Sequence, residues 1–193
     1  MTVDRVLPTD EGEELVALVR EIAQGEIAPR AAEAEAEGRF SREAFQVLGH
    51  AGVLGMTYPE EFGGLGQPYE VYLQALEEIA AAQLSVGLGV SVHTMTCYAM
   101  ATYGTKEQRR TYLPEMVGGK LLGGYALSEA HAGSDVTSMT TRAKSGADGY
   151  ALSGAKAWIT NGGVADLYTT FARTSDDRTH GISCFTCLPT RRG

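Results

Sequence analysis

The residue pattern of the chain changes near Gly118-Gly119, and no other sequence feature constrains the fold as much. Before this point, apolar residues recur with the period of amphipathic helices, as in Leu15, Leu18, Val19, Ile22 and Ile27. After it, the chain is dense in Gly, Ser and Thr, and its apolar residues come in the short runs typical of strands. The sequence therefore predicts a multi-domain α+β protein, with an all-helical domain at residues 1–118 and an antiparallel β domain, barrel-like or a sandwich, at residues 119–193.

Caps and apolar faces predict the further helices of the first half. Ser41 is placed to cap a short helix that contains Phe45 and Leu48. A turn-rich loop at residues 58–68 is followed by a helix whose apolar stripe comprises Tyr69, Tyr72, Leu73, Leu76, Ile79 and Ala80. Thr105 and Gln108 form a T-x-x-Q capping pair, which predicts the start of the last helix.

A run without charged residues extends from residue 79 to residue 105. It is long enough to cross a bilayer. It also carries many Ser, Thr, Gly, Gln and His residues, which a membrane-spanning segment rarely contains in such number. We therefore expect no membrane span, but a helix that ends near Gly104 and is buried on nearly all its faces inside a soluble bundle.

Short apolar runs and turn dipeptides predict the strands of the second half. One strand is predicted to end at Ser128, and four more at residues 140–144, 150–153, 157–160 and 167–172. Turns are predicted at residues 146–149, at Ser153-Gly154 and at Asn161-Gly162. The Asn-Gly dipeptide is a strong signal for a hairpin turn.

Composition narrows the classes of function. The 193 residues include Lys+Arg 16 against Asp+Glu 24, a net charge of -8, which argues against a nucleic-acid partner. The cysteines are few and odd in number, which indicates a reducing compartment, and we expect a cytoplasmic protein. Cys184 and Cys187 have C-x-x-C spacing without a second pair, and no histidine has an i, i+4 partner, so no metal site is expected. The acidic N-terminus lacks the features of a signal or transit peptide.

Two segments of the second half have the residue types of a ligand site. Residues 125–135 run from a strand into a glycine-containing loop, whose backbone N–H groups and serine hydroxyls suit a phosphate or the polar edge of a ring. Residues 156–163 place the single tryptophan, Trp158, close to the hydroxyl of Thr160. An aromatic plane beside a hydroxyl suits a flat heteroaromatic ring. A well-packed hairpin core accounts for the same residues equally well.

These two segments resemble the flavin-binding signatures of the acyl-CoA dehydrogenase family, which read approximately [ST]-E-P-x-x-G-S-D and W-I-T-N-G. The loop at residues 58–64 and the stretch at residues 103–114 also resemble that family, so the similarity covers nearly the whole chain in the same order. One departure is visible, because Ala130-His131 stands where the family has Pro followed by a small or polar residue. The loss of proline is expected to loosen this turn.

The resemblance implies that the chain binds FAD. It implies that Tyr125 and Ala126 belong to the strand that leads into the FAD site, and that Leu127 and Ser128 contact the pyrimidine edge of the flavin. The same resemblance places Gly133 and Ser134 at the pyrophosphate, and Ser134 also at the acyl-CoA substrate. It places Trp158 and Ile159 beside the isoalloxazine ring, and it implies that Thr160 forms a hydrogen bond to flavin N5.

The reaction implied is α,β-dehydrogenation of an acyl-CoA thioester, with the hydride passing to flavin N5. In the family the catalytic glutamate lies in a C-terminal helical bundle, and no glutamate of this chain matches it; Glu129 belongs to the flavin loop and is interpreted as structural. The resemblance also implies an electron-transfer flavoprotein as electron acceptor, and a tetramer or dimer of identical subunits. Two alternatives stay open: a flavin oxidase or monooxygenase of the same fold, and an inactive fragment.

The end of the sequence gives a further expectation. The family's β domain continues after the strand that matches residues 181–185 with a stretch such as Val-Pro-Ala-Asp-Ala-Pro-Gly. The chain instead reads Thr-Cys-Leu-Pro-Thr-Arg-Arg-Gly, which the neighbouring reading frame of one such DNA stretch encodes. We therefore expect a truncated or frameshifted form, read out of frame after Phe185 and lacking the catalytic base.

Overall fold

The computed structural model describes residues 7–147 and 149–189. Asp148, in the turn predicted at residues 146–149, and residues 190–193 of the tail expected to be out of frame lie outside the described residues. The chain divides into two compact units, Met1–Leu122 and Gly123–Gly193. The first contains helices and the second a β sheet, which confirms the predicted order of the two classes.

The described part of the first unit contains six α-helices: α1 (Asp10–Ile22), α2 (Ala28–Glu37), α3 (Arg42–His50), α4 (Tyr69–Ala82), α5 (Leu84–Tyr103) and α6 (Lys106–Val117). A π-helical turn, Ala23–Ile27, joins α1 to α2. Pro29 has no N–H to donate to the carbonyl of Gly25, so a regular α-helical bond cannot form there, and the wider turn accommodates this.

The core of the helical unit is formed mainly by buried residues of α1, α3, α4 and α5. Val19, Phe45 and Leu48 are buried as expected, together with Val71, Ala75 and Ile79 of α4. Leu18, Tyr69 and Leu73, which were predicted to belong to apolar faces, are exposed instead. On α4, Tyr72 and Ile79 of the predicted stripe are buried, and Val71 and Ala75 complete the buried face in place of Tyr69 and Leu73.

The two predicted helix caps have different outcomes. Thr105 and Gln108 form the capping box: the amide of Gln108 donates to Thr105 Oγ1 at 3.2 Å, and the amide of Thr105 donates to Gln108 Oε1 at 2.9 Å. Ser41 precedes α3, but the prediction that its side chain caps the helix is wrong. Its hydroxyl instead donates to Gln83 Oε1 at 3.4 Å, a contact from outside the helix that competes with capping.

Helix α5 comes from the charge-free run and ends at Tyr103, next to Gly104, as predicted. The expectation that it is buried on nearly all faces is wrong, since it exposes a row of apolar side chains: Leu84, Leu88, Met95 and Tyr98. It is the one described helix whose length and composition would allow it to cross a membrane. Half of the relevant stretch is buried, and buried helices of water-soluble proteins also meet this criterion.

The second unit contains one five-stranded sheet: β1 (Gly123–Ala126), β2 (Arg142–Gly146), β3 (Gly149–Ser153), β4 (Leu167–Arg173) and β5 (Ile182–Cys187). The predicted antiparallel pairing holds for β2–β3 and β4–β5. It does not hold for β1–β4 and β2–β4, which are parallel. β1 reaches β4 only after a long connection that contains the β2–β3 hairpin, so the two strands run in the same direction.

Strand β4 is the centre of this sheet. Along one edge it pairs with β5 from Tyr168 to Arg173. Its other edge is shared, because β1 pairs with the stretch that begins at Leu167 and β2 pairs at Arg173. The ring of Tyr150 in β3 lies 5.1 Å from that of Phe185 in β5, so the β2–β3 hairpin also contacts β5 through side chains.

Candidate functional site

The β unit brings the two candidate ligand segments side by side. The amide of Ala157 donates a hydrogen bond to the carbonyl of Ser128 at 2.9 Å. Lys156 Nζ donates to the carbonyl of Leu127 at 3.0 Å. The segment that leads to Trp158 is therefore docked directly on the backbone that follows β1.

Glu129 lies at the centre of this junction. Its side chain is 2% exposed, and that of Lys156 is 11% exposed; their Oε1 and Nζ atoms are 2.9 Å apart. Oε2 accepts hydrogen bonds from the amide and the hydroxyl of Thr140, both at 2.8 Å, and Oε1 accepts one from the amide of Thr141 at 2.9 Å. This agrees with the structural role predicted for Glu129.

The contacts of Glu129 also explain its ionisation. Burial alone would raise the pKa of this carboxyl group. Hydrogen bonds from Thr141, Thr140 and Lys156 outweigh burial and hold the pKa of Glu129 well below its usual range. The carboxylate is therefore charged and fully engaged at neutral pH, and it is unsuited to removing a proton from a substrate.

The loop after Glu129 closes on itself. The amide of Glu129 donates to the carbonyl of Ala132 at 2.8 Å, and the amide of Ala132 donates back at 3.2 Å. This pair of bonds keeps the turn closed although Ala130-His131 stands where the family has Pro followed by a small or polar residue. His131 Nε2 lies 3.5 Å from Glu129 Oε2, so the imidazole lies beside the carboxylate.

Gly133 and Ser134 follow this turn and are both exposed. A Cβ atom added at Gly133 would have no heavy atom within 4 Å, so the loop leaves open space at this point. Asp135 then accepts a hydrogen bond from the amide of Thr137 at 3.1 Å and begins a short 3-10 turn, Val136–Ser138. The loop is thus anchored on both sides of an open glycine and serine.

The second segment is a turn, and the strand predicted at residues 157–160 is wrong. Trp158 has φ 60 and Asn161 has φ 63, both in the left-handed region, which interrupts an extended backbone. The amide of Gly162 donates to the carbonyl of Ile159 at 2.9 Å, so Asn161-Gly162 does form a turn, but not the turn of a hairpin. Asn161 Nδ2 instead donates to the carbonyl of Gly123 at 3.0 Å, which joins the turn to β1.

This turn presents its polar and aromatic groups to the surroundings. Trp158 is 90% exposed, which is unusual for a tryptophan. Ile159 and Thr160 are half-buried. Within the described ranges, the hydroxyls of Ser128, Ser134 and Thr160 make no hydrogen bond to protein.

Sequence reasoning missed the residues that hold the two segments together. Thr140 and Thr141 were assigned to a strand, but their amides bind Glu129, so β2 begins only at Arg142. Lys156 was part of a candidate segment without a role. A lysine in a loop is usually exposed, and only the presence of a buried acid in a neighbouring loop could have indicated its burial.

Comparisons with known proteins identify the family of both units. Residues 9–120 match the model of the acyl-CoA dehydrogenase N-terminal domain, and residues 124–193 match that of the acyl-CoA dehydrogenase middle domain. An acyl-CoA dehydrogenase of Bacillus subtilis is 40% identical over 170 residues, which are 87% of this chain and 45% of that protein.

Solved structures show the same relation. A chain from a structure described as the electron transferring flavoprotein of Acidaminococcus fermentans has a TM-score of 0.91 at 32% identity, covering 97% of this chain and 50% of that one. A glutaryl-CoA dehydrogenase of Mycobacterium smegmatis in complex with FADH2 has a TM-score of 0.86 at 29% identity, covering 93% and 46%. The chain spans about half the length of the curated relatives it matches. It belongs to the acyl-CoA dehydrogenase family.

Proposed function

We propose that this chain provides the FAD-binding segments of an acyl-CoA dehydrogenase, which oxidises the Cα–Cβ bond of an acyl-CoA thioester. One observation carries the proposal. Lys156 and Ala157 are hydrogen-bonded to Leu127 and Ser128. This arrangement leaves Trp158 exposed, next to the hydroxyls of Ser128 and Thr160, which make no hydrogen bond to the described residues.

The residues present fit a flavin nucleotide. Exposing an indole leaves a large apolar surface in water, and a flat ring system that covers it would remove that cost. The hydroxyls of Ser128 and Thr160 offer hydrogen bonds to the polar atoms of such a ring. The open space at Gly133 lets backbone N–H groups approach a pyrophosphate, with the Ser134 hydroxyl beside them.

Each residue then has a role in holding the cofactor. In the proposal, Tyr125 and Ala126 of β1 lead to Leu127 and Ser128, which contact the pyrimidine edge of the flavin, and Gly133 and Ser134 hold the pyrophosphate. Trp158 and Ile159 shield one side of the flavin ring from water, and the Thr160 hydroxyl orients the ring at N5. Bound FAD would supply the hydride acceptor. Ser134 has a second proposed role, as a contact to the acyl-CoA substrate.

The proposal assigns no catalytic base among the residues that the structure describes. Glu129 is excluded, because its oxygens are engaged and its pKa is low. The proposal extends to an electron-transfer flavoprotein as electron acceptor, to a dimer or tetramer of identical subunits, and to a cytoplasmic location. It also takes residues 1–118 and 119–193 as the domains, of which the second binds FAD.

Equilibrium dialysis of the purified full chain against FAD tests the proposal. We expect bound flavin with the wild-type chain, and affinity reduced about 5- to 30-fold in Trp158→Ala and in Thr160→Val, since each removes a contact worth about 1–2 kcal/mol. Tyr103→Ala is the matched control, because Tyr103 is an exposed aromatic residue of the helical unit. A chain that binds no FAD, or equal losses in the control, would contradict the proposal.

A further inference from the structure

The ion pair between Glu129 and Lys156 is enclosed, with side chains that are 2% and 11% exposed. Two other pairs of the β unit, Arg142–Asp176 and Arg178–Asp135, have at least half of each side chain exposed. Burying two opposite charges is costly unless further hydrogen bonds satisfy them. Three donors besides the lysine satisfy Glu129, and the carbonyl of Leu127 accepts from Lys156, so this pair is held on all sides.

The bonds of this pair join three separate stretches of chain. Glu129 binds the backbone just before β2 through Thr140 and Thr141. Lys156 binds Glu129 and, through the carbonyl of Leu127, the residue that follows β1. Removing either side chain would leave the other charge buried without its partner. The contact between the three stretches therefore depends on both Glu129 and Lys156.

The indole of Trp158 makes little packing contact of its own, and the bond from Asn161 to Gly123 anchors the turn on its C-terminal side. Trp158 is 90% exposed, so packing against the described residues does not fix the position of the indole. Its backbone has φ 60, a conformation that a bulky residue adopts only when its neighbours impose it. The neighbours on its N-terminal side are Lys156 and Ala157, and both are bonded to the segment after β1.

We infer that Glu129 and Lys156 are positioning residues, which set Trp158 and Thr160 at a fixed place relative to Leu127 and Ser128. Neither charge needs to touch the ligand for this role. The inference rests on the proposed function for its effect on FAD, but the positioning itself is measurable without a ligand. Without the ion pair, the segment that carries Trp158 and Thr160 could move away from the segment that carries Leu127 and Ser128. A flat ligand would then contact only one of the two segments.

The variant Lys156→Met, made in the full chain, tests the inference, with Lys156→Arg as the conservative variant that keeps the charge. The matched control is Arg142→Met, which breaks an exposed pair in the same unit. Three quantities are measured for each: the exchange rate of the Ala157 amide, the quenching of Trp158 fluorescence by acrylamide, and the affinity for FAD. Trp158 is the single tryptophan, so its emission has one source.

In Lys156→Met we expect Ala157 exchange to accelerate at least about tenfold, Trp158 quenching to change, and FAD affinity to fall about 10- to 100-fold, since a buried charged hydrogen bond is lost. Lys156→Arg should recover most of each effect, and Arg142→Met should match the wild type. If Lys156→Met does not fold, Thr140→Val, which removes only the hydroxyl bond to Glu129, should shift the same quantities by a smaller factor.

Two results would overturn the inference. One is wild-type exchange of Ala157 and wild-type quenching of Trp158 in both Lys156→Met and Thr140→Val. The other is a loss of FAD affinity in Lys156→Met without any change in those two quantities, which would mean that the lysine contacts the ligand directly. A wild-type chain that binds no FAD contradicts the proposed function instead, and the exchange and quenching results still decide on the positioning.

Discussion

The helical unit and the β unit each bury a cluster of polar side chains, and the two clusters differ in charge. In the helical unit, His93 Nε2 lies 3.1 Å from the carbonyl of Met116 and 3.4 Å from Cys97 Sγ. Burial lowers the pKa of His93 to about 4 and raises that of Cys97, so both are neutral at pH 7. In the β unit, Glu129 and Lys156 are buried as an ion pair.

The difference follows from how much apolar core surrounds each cluster. Among the largest fully buried side chains of the described residues, only Leu167 belongs to the β unit, and the others lie in the helical unit. Where apolar packing already fixes the helices, a buried polar group needs only neutral hydrogen bonds. Where loops cross with little apolar core, charged hydrogen bonds hold them, and their loss should cost more.

The largest expected effect is therefore that of Glu129→Ala. The substitution leaves Lys156 buried without its acid and frees the amides of Thr140 and Thr141, so we expect the free energy of unfolding of the β unit to fall by about 3–5 kcal/mol. Exchange of the β4 amides, which measures opening of the sheet, gives this free energy.

The control for this prediction is Asp176→Ala. Asp176 pairs with Arg142 in the same unit, but its side chain is 88% exposed, so its loss should change the stability by no more than about 0.5 kcal/mol. If Glu129→Ala and Asp176→Ala lower the stability equally, the buried ion pair does not contribute more than an exposed one, and the prediction is wrong.

The next effect concerns pH and the helical unit. Burial lowers the pKa of His93 to about 4 in the folded chain, against the ordinary value of 6.5 expected for the unfolded chain. The unfolded state therefore binds the proton more readily, and stability is full above pH 6.5 and falls as the pH drops from 6.5 towards 4. The difference corresponds to about 3 kcal/mol at most. Urea unfolding followed by helical circular dichroism at a series of pH values measures it.

A pair of histidine variants assigns this pH dependence. His93→Gln should remove most of the slope between pH 6.5 and 4, whereas His50→Gln, at an exposed position at the end of α3, should leave it in place. If both variants keep the slope, the buried imidazole is not its source.

The smallest effect tests whether a neutral polar side chain contributes only through a specific hydrogen bond. Thr105→Ala removes a cap that satisfies the amide of Gln108, and we expect a loss of about 1 kcal/mol in the stability of the helical unit. Ser41→Ala removes no cap, so its loss should be clearly smaller. Urea unfolding of the two variants side by side provides the comparison, and a larger loss in Ser41→Ala would be contrary to it.

How far the sequence predicts this molecule depends on the range of the interactions involved. The capping box of Thr105 and Gln108 and the end of α5 next to Gly104 are local, and both were predictable. The turn at Trp158 was not, because its backbone is set by contacts of Lys156 and Ala157 with residues about thirty positions earlier. The parallel pairing of β1 with β4 likewise depends on the path of the chain and not on any local pattern.

The candidate site shows the same division. The two segments could be recognised from their residue types, because serine hydroxyls, glycines and a tryptophan beside a threonine are visible in the sequence. The acid and the lysine that join them could not, since a single sequence gives no sign that Glu129 and Lys156 are buried against each other.

The most direct test of the account is a titration of Trp158 fluorescence with FAD in the wild-type chain. If the two docked segments form a flavin site, FAD bound beside the indole should quench the emission of this single tryptophan in a saturable way, with the same Kd that dialysis gives. FAD that binds without quenching Trp158 would contradict the account, because the ligand would then lie elsewhere on the chain.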